Sequence, residues 1–310
     1  MSVCFEHKTY TNQQAARLLW DVESVMDLMN RRVYYQMAGQ HRQELEDLWV
    51  AEPQHRRTAS LGSNYGYYQG MDEVIRFYVT EFEAQRQEIL SAFCAQHPEI
   101  ANIPENRMIG YTCMMPNSTP LVEIAQDGIT AQGIWYTIAQ ETVGRPGNQS
   151  TGQWRGEKIA ADFIREGDQW KIWHLVVAND YFNPAGTNHS DQPLEFPEGQ
   201  DPRQRWFGQP TIPMLTHDSR LHWADNYPPE PQPYHHYEPA MGYGPEGWRT
   251  AITRPAAAIS QQRIERGRAL REQARKRPRP GPGGPGGPGG PGGPGGPDRP
   301  GGPQQDGEVN

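Results

Sequence analysis

The chain is short of cysteine, of long apolar runs and of metal-ligand spacing, and each shortage excludes something. Its three cysteines, Cys4, Cys94 and Cys113, form no paired pattern and no CxxC element, which argues against a disulfide framework and for a reducing compartment. No stretch approaches the ~18 consecutive apolar residues that a spanning helix needs, so no membrane span is expected. Met1 to Tyr10 has no apolar segment behind a basic start; a secretory leader is therefore not expected, and a cytoplasmic location is. His217, His222, His235 and His236 do not stand at ligand intervals, so the expectation is no metal and no other cofactor.

Charge of one sign is also scarce where nucleic acid would require it. The net charge is -8, yet Arg263 to Arg279 holds eight basic residues against two acids, a surplus of six that leaves -14 on the rest. An acidic body is not a nucleic-acid-binding domain, and only the basic segment 263–279 has the charge to touch RNA, a membrane surface or the body itself.

What is abundant is glycine and proline, with 33 and 29 residues, and their placement divides the chain. Residues 1–184 have the apolar content of a single domain. Residues 185–255 combine frequent prolines with eight aromatics from Trp206 to Trp248, a mix too aromatic for plain disorder; an ordered extension wrapping the domain is expected. Residues 256–277 read as a basic helix. Residues 278–310 read as a disordered Gly/Pro-rich tail: proline recurs at every third place from Pro282 to Pro303, but Asp298 and Arg299 break the glycine frames that a collagen helix requires.

Within the domain, Leu18, Val22, Val25, Met26, Met29, Val33 and Met37 recur at helical spacing, predicting a helix over 12–38 capped by Asn12 and ended by Gly39. A short helix follows around Leu45 to Trp49. Residues 64–70 are turn-rich, and 71–93 are helical again. Two hairpins come next, 119–125 with 129–138 across Asp127-Gly128, and 154–165 with 170–178 across Glu166-Gly167-Asp168. In the last strand Trp170, Ile172, His174 and Val176 are expected on one face, with Trp173, Leu175 and Val177 on the other. Both faces are apolar, so both should be covered, one of them in a homo-oligomer. Helices followed by antiparallel strands make the fold class α+β.

The run RRVYYQMAGQHRQELEDLW, the turn LGSNYGYYQGMDEVIRFYV, the hairpin STPLVEIAQDGITAQGIWYT and the pair KIAADFIREGDQWKIWHLVVANDYF together resemble the SnoaL-like branch of the nuclear transport factor 2-like superfamily. YPPEPQPY is similar to the C-terminal extension of a longer subgroup. The resemblance implies a strongly bent antiparallel or mixed sheet wrapped round a long N-terminal helix, with an apolar pocket at the open end of a cone. It implies cofactor-independent proton abstraction or elimination by His, Asp and Tyr, as in dehydratases and retro-aldol lyases, or plain ligand binding. In dehydratase-like members the resemblance implies an Asp near the end of the first helix and a His just before the first long strand, and here these places hold Ala38 and Met115.

Other residues must therefore supply any chemistry. His174 and Asp162 are polar side chains inside apolar strands, and neighbours on paired strands, so each is expected to satisfy the other. They read either as a catalytic dyad or as a structural buried pair. Tyr34 or Tyr35 is the expected proton donor, and Tyr67, Tyr68, Met115 and Trp135 the expected substrate wall. His41 and His55 lie near loops and are expected to be solvated. The expected function is a lyase of dehydratase or retro-aldol type on a small apolar, aromatic molecule, with a ligand-binding or oligomeric assembly module, its tail serving association, as the alternative.

Overall fold

A computed structural model describes residues 10–145, 149–188, 209–213 and 228–252. The expected helix 256–277 and tail 278–310 lie outside the described residues. The long first helix, α1 (Asn12–Met37), starts one residue earlier in its cap than expected. Thr11, not Asn12, is the N-cap, in a capping box with Gln14. Gly39, at φ +67°, turns the chain as a C-terminal glycine does. Then come α2 (His41–Leu48), α3 (Pro53–Thr58), α4 (Met71–Ile75), a π-helical turn (Arg76–Glu81) and α5 (Phe82–Cys94). No described helix is long and apolar enough to cross a membrane.

The strands are β1 (Ser60–Ser63), β2 (Gly66–Gln69), β3 (Tyr111–Met114), β4 (Ser118–Ile124), β5 (Thr130–Arg145), β6 (Gln149–Glu166), β7 (Gln169–Pro184) and β8 (Ile212–Pro213). They form one mixed sheet in the order β3-β5-β6-β7-β1-β2-β8, with β4 also on β5 and β1 parallel to β7. Both predicted hairpins are present, on the predicted turns. Of the hairpin β1–β2, β2 falls in the stretch 64–70 read as turn and β1 just before it; both strands are four residues long, too short for alternation to register.

Two register shifts in the β6–β7 ladder, at Gly156/Glu157 and Asp162/Phe163, bend the sheet. The second corrects the predicted face assignment. Trp173 is the extra residue, so Ile172 falls in phase with Leu175 in the main core, whereas His174, Val176 and Ala178 face the opposite side. The inner face packs on Val25, Leu28 and Met29 of α1, and on Trp49, Tyr68 and Val74. The outer face packs Tyr67, Ala160, Val176 and Ala178 against Tyr243 and Trp248 from the C-terminal extension. Among the described residues of the extension is the short helix α6 (Pro245–Ile252).

Candidate functional site

Two buried polar clusters lie on opposite faces of this sheet. The inner one begins with α1, whose buried stripe runs Val25, Leu28, Met29, then Arg32 and Gln36. The facing row of the sheet changes character in the same way. Ala131, Gly133 and Trp135 stand beside Phe163, Ala161 and Ile159; further along, Thr137, Ala139 and Glu141 stand beside Glu157, Arg155 and Gln153. The interior is thus apolar at one end and ion-lined at the other. Gly133 lies under the Trp135 indole, where a Cβ would not fit, which accounts for the G-x-W spacing in the sequence.

At the polar end, Arg32 Nε is 3.3 Å from Glu44 Oε1, both side chains being buried. Tyr78, placed on the π-helical turn, donates to Glu44 Oε2 at 3.0 Å and accepts from Arg32 Nη2 at 3.3 Å. Trp49 Nε1 donates to Glu44 at 3.3 Å. The Gln36 amide nitrogen meets His41 Nδ1 at 2.8 Å and also contacts Glu44 and the Tyr78 hydroxyl. Burial raises the pKa of Glu44 against the pull of Arg32, Gln36, Tyr78 and Trp49. Burial opposes the Arg32 cation as well, but Tyr78, Glu44 and Glu157 outweigh it and hold its pKa above the ordinary value. His41 is 6% exposed, not solvated as expected, and burial lowers its pKa to about 3. Across from this group, Glu157 is 1% exposed and ion-paired to Arg155 at 3.3 Å, yet neither of its oxygens has a hydrogen-bond partner. Arg32 Nε and Nη1 are in the same condition. Unsatisfied buried groups at this density are costly unless something meets them.

The outer cluster contains the predicted pair. Asp162 and His174 are directly paired across β6 and β7, but no hydrogen bond joins them. Asp162 Oδ1 accepts from Gln132 Nε2 at 2.9 Å, and Oδ2 accepts from Tyr243 N at 2.7 Å and from the Tyr237 hydroxyl at 3.2 Å. His174 Nδ1 instead meets Ser60 Oγ at 3.0 Å. Ser60, His174 and Asp162 therefore have the composition of a hydrolase triad without its wiring, because the carboxylate does not orient the imidazole. Burial raises Asp162 to about 7 against these donors, and lowers His174 to about 3.

The remaining predicted residues are dispersed. Tyr34 is 74% exposed on α1, and Tyr35 donates to Asp47 at 2.6 Å on the surface. Tyr67 and Tyr68 point to opposite faces; Tyr68 stacks on Phe77 in the main core, and Tyr67 donates to Tyr243 O at 3.2 Å on the outer side. Trp135 packs on Phe163 in the inner core, while Met115 sits with Cys113 and Ala139. His55 is part-buried and bonded to Glu166 at 2.8 Å. A cleft of about 80 Å³ lies among Arg42, Leu45, Glu46, Arg56, Met71, Ile75 and Val79, and no predicted site residue lines it. Sequence reading missed Arg32, Gln36, Glu44 and Tyr78. The one available signal was Arg32 and Gln36 continuing the apolar stripe of α1 at spacings of three and four.

Among solved structures, a hexachlorocyclohexane dehydrochlorinase from Novosphingobium barchaimii is similar at 15% identity and TM-score 0.36, over 56% of this chain and 97% of its own. A protein assigned as a scytalone dehydratase from Novosphingobium aromaticivorans is similar at 12% identity and TM-score 0.37, over 55% and 90%. A nuclear transport factor 2-like protein with a cystatin-like fold from the same organism is similar at 16% identity and TM-score 0.35, over 56% and 91%. No curated protein matches the sequence. The family model described as the SnoaL-like domain matches residues 17–176, more than half of the 310 residues, and the chain belongs to that family.

Proposed function

We propose that the domain is a cofactor-independent lyase, of dehydratase or retro-aldol type, acting on a small aromatic molecule held between α1 and the inner face of the sheet. The observation that carries this reading is the Arg32–Glu44–Tyr78 cluster facing the unsatisfied oxygens of Glu157 at the polar end of an otherwise apolar interior. The apolar end, with Trp135, Phe163 and Met29, suits an aromatic body, and the polar end suits its reacting oxygen.

In such an elimination Glu44 takes the proton from carbon. The freed electron pair forms the new double bond as the carbon–oxygen bond breaks, and the leaving oxygen takes the Tyr78 proton. Arg32, 3.3 Å from that phenolic oxygen, stabilises the phenolate. The Glu44 proton then returns to Tyr78 along their 3.0 Å hydrogen bond. Burial helps by lifting Glu44 towards the operating pH, where a general base is most effective. His174 and Asp162 have no part in this scheme.

Turnover of aromatic β-hydroxy ketones, followed as water loss or formaldehyde release, tests the reading. Tyr78→Phe and Glu44→Gln should each lower kcat by roughly 10²–10⁴-fold while the protein stays folded. Unchanged turnover in both folded variants would move the chemistry elsewhere.

A second reading, a ligand-binding module without turnover, rests on a different observation: Arg32, Tyr78, Gln36 and Trp49 already occupy the Glu44 carboxylate, and a carboxylate so held stiffens a core without reacting. Native mass spectrometry showing a co-purified small molecule that the protein never converts would favour it. Either reading accommodates a homo-oligomer joined through the uncovered part of the outer face, where Tyr136, Ile138 and Trp154 are exposed. A single monomeric species in sedimentation at micromolar concentration would exclude that oligomer.

A further inference from the structure

The outer cluster has a property that the proposed chemistry does not use. Most of the bonds to Asp162 come from a segment beyond residue 176, where the family match ends. We propose that residues 234–248 are a strap latched on Asp162, which closes the outer face of the sheet and, when released, opens His174, Ser60 and an apolar strip to solvent.

The Asp162 carboxylate holds the middle of the strap. Tyr243 N and the Tyr237 hydroxyl donate to it directly, and Gln132 Nε2 links Asp162 Oδ1 to Met241 O at 3.1 Å. Charge-assisted bonds of this kind are stronger than neutral ones, so losing one side chain loosens several contacts together. The fit is also steric. A Cβ on Gly242 would come within 2.7 Å of Asp162 Oδ2 and would collide with Tyr237, and Gly244 lies against the His174 ring, where a Cβ would be 3.4 Å from Nδ1. The turn therefore approaches the carboxylate only because glycine occupies position 242, whereas at Gly244 a Cβ would make an ordinary contact.

The sheet does not depend on the strap. The ladders joining β1 to β7 are formed among those strands themselves, and the strap contributes a single 3-10 turn and α6 but no strand. What it covers is Tyr67, Ala160, Val176 and Ala178, a strip that packs on Tyr243 and Trp248. Beside the Asp162 contact, Gln126 N and Asp127 N donate to Tyr234 O and His235 O at 3.1 and 3.2 Å, the Tyr234 hydroxyl donates to Thr130 at 3.1 Å, and Tyr67 donates to Tyr243 O at 3.2 Å. A cover joined to a self-sufficient sheet by a few such contacts opens locally and leaves the sheet folded.

Amide hydrogen exchange on the full chain tests this with two variants, one on each side of the contact. Asp162→Asn removes the charge that accepts the strap donors. Gly242→Ala fills the space at the latch and leaves every sheet residue as it is. In both, the Tyr243 amide should exchange about 10–100-fold faster, the ratio expected for losing one charge-assisted hydrogen bond. The β5–β6 ladder amides around Ile159 should stay within about twofold of the parent, the scatter expected for local opening. Any other pattern overturns the proposal. Unchanged strap exchange in either variant removes the latch, and equal acceleration of strap and ladder makes residues 234–248 part of one cooperative fold.

Discussion

The inner and outer faces of the sheet each bury a carboxylate, and they stabilise it in different ways. Glu44 on the inner side has a cation, Arg32, together with Tyr78, Gln36 and Trp49. Asp162 on the outer side has only neutral donors, the Gln132 amide, the Tyr237 hydroxyl and the Tyr243 backbone N–H, and no ion pair. A charge pair requires both members, because removing one leaves the other buried and uncompensated. A carboxylate held by dipoles depends on the segment that carries them. Chemistry-bearing groups with an internal counter-ion suit a permanent site, and a carboxylate fed by a separate segment suits a contact that forms and breaks.

The largest expected effect breaks the inner pair. Arg32→Met leaves Glu44 buried without its cation and should cost about 3–5 kcal/mol in chemical denaturation. A loss below about 1 kcal/mol would show that Tyr78, Gln36 and Trp49 suffice without it, and the two faces would then be alike.

Asp162→Ala should cost less, roughly 1.5–3 kcal/mol, since it removes hydrogen bonds to a charged group but strands no opposite charge. A cost equal to that of Arg32→Met would erase the distinction between the faces.

pH separates the clusters through Asp162, because their histidines respond alike. His174 and His41 each have a folded pKa near 3, below their unfolded value of ~6.5, so the unfolded chain binds more protons in between. Their contribution is therefore present above pH ~6.5 and lost as pH falls towards 3. Asp162, raised to about 7, acts with opposite sign, because its contribution is lost as pH rises through 7. His174→Gln should remove about 1.4 kcal/mol per pH unit of acid destabilisation between pH ~6 and ~4. Urea unfolding of parent and variant at several pH values checks it, and parallel slopes would mean that His174 is protonated in the folded state.

The smallest effect concerns neither face. Tyr34→Ser, on the exposed side of α1, should leave turnover and thermal midpoint unchanged, and a measurable fall in turnover would restore Tyr34 as a proton donor.

How much could be read in advance follows the same division. The helix α1, both long hairpins and their turns were legible, because each is a local pattern: helical spacing, alternation, and Asp127-Gly128 with Gly128 at φ +70°. Of the expected stripe, Val25, Met29 and Val33 are buried, whereas Met37 is exposed and the buried Leu28 was missed. That Asp162 and His174 lie on paired strands was legible, but their direct pairing was not, since the register of the short turn sets Asp162 opposite Trp173 and only the bulge moves it to His174. Their lack of a mutual hydrogen bond was not legible either, since the competing donors Tyr237 and Tyr243 lie more than 70 positions along the chain. The bulge at Trp173, which turns Ile172 to the inner side, was equally hidden, because alternation assumes an unbroken ladder.

The sequence by itself determined that this protein has a long amphipathic first helix, a strand-rich second half and a SnoaL-like order of elements, since each follows from the preferences of neighbouring residues. Tertiary structure alone decided which polar groups meet. Arg32 finds Glu44 and Tyr78 across a helix corner and a π-helical turn, and Asp162 finds a glycine-rich turn far along the chain. The physical reason is that burial makes a polar group seek a partner without specifying which, and only the packed arrangement of distant elements supplies one.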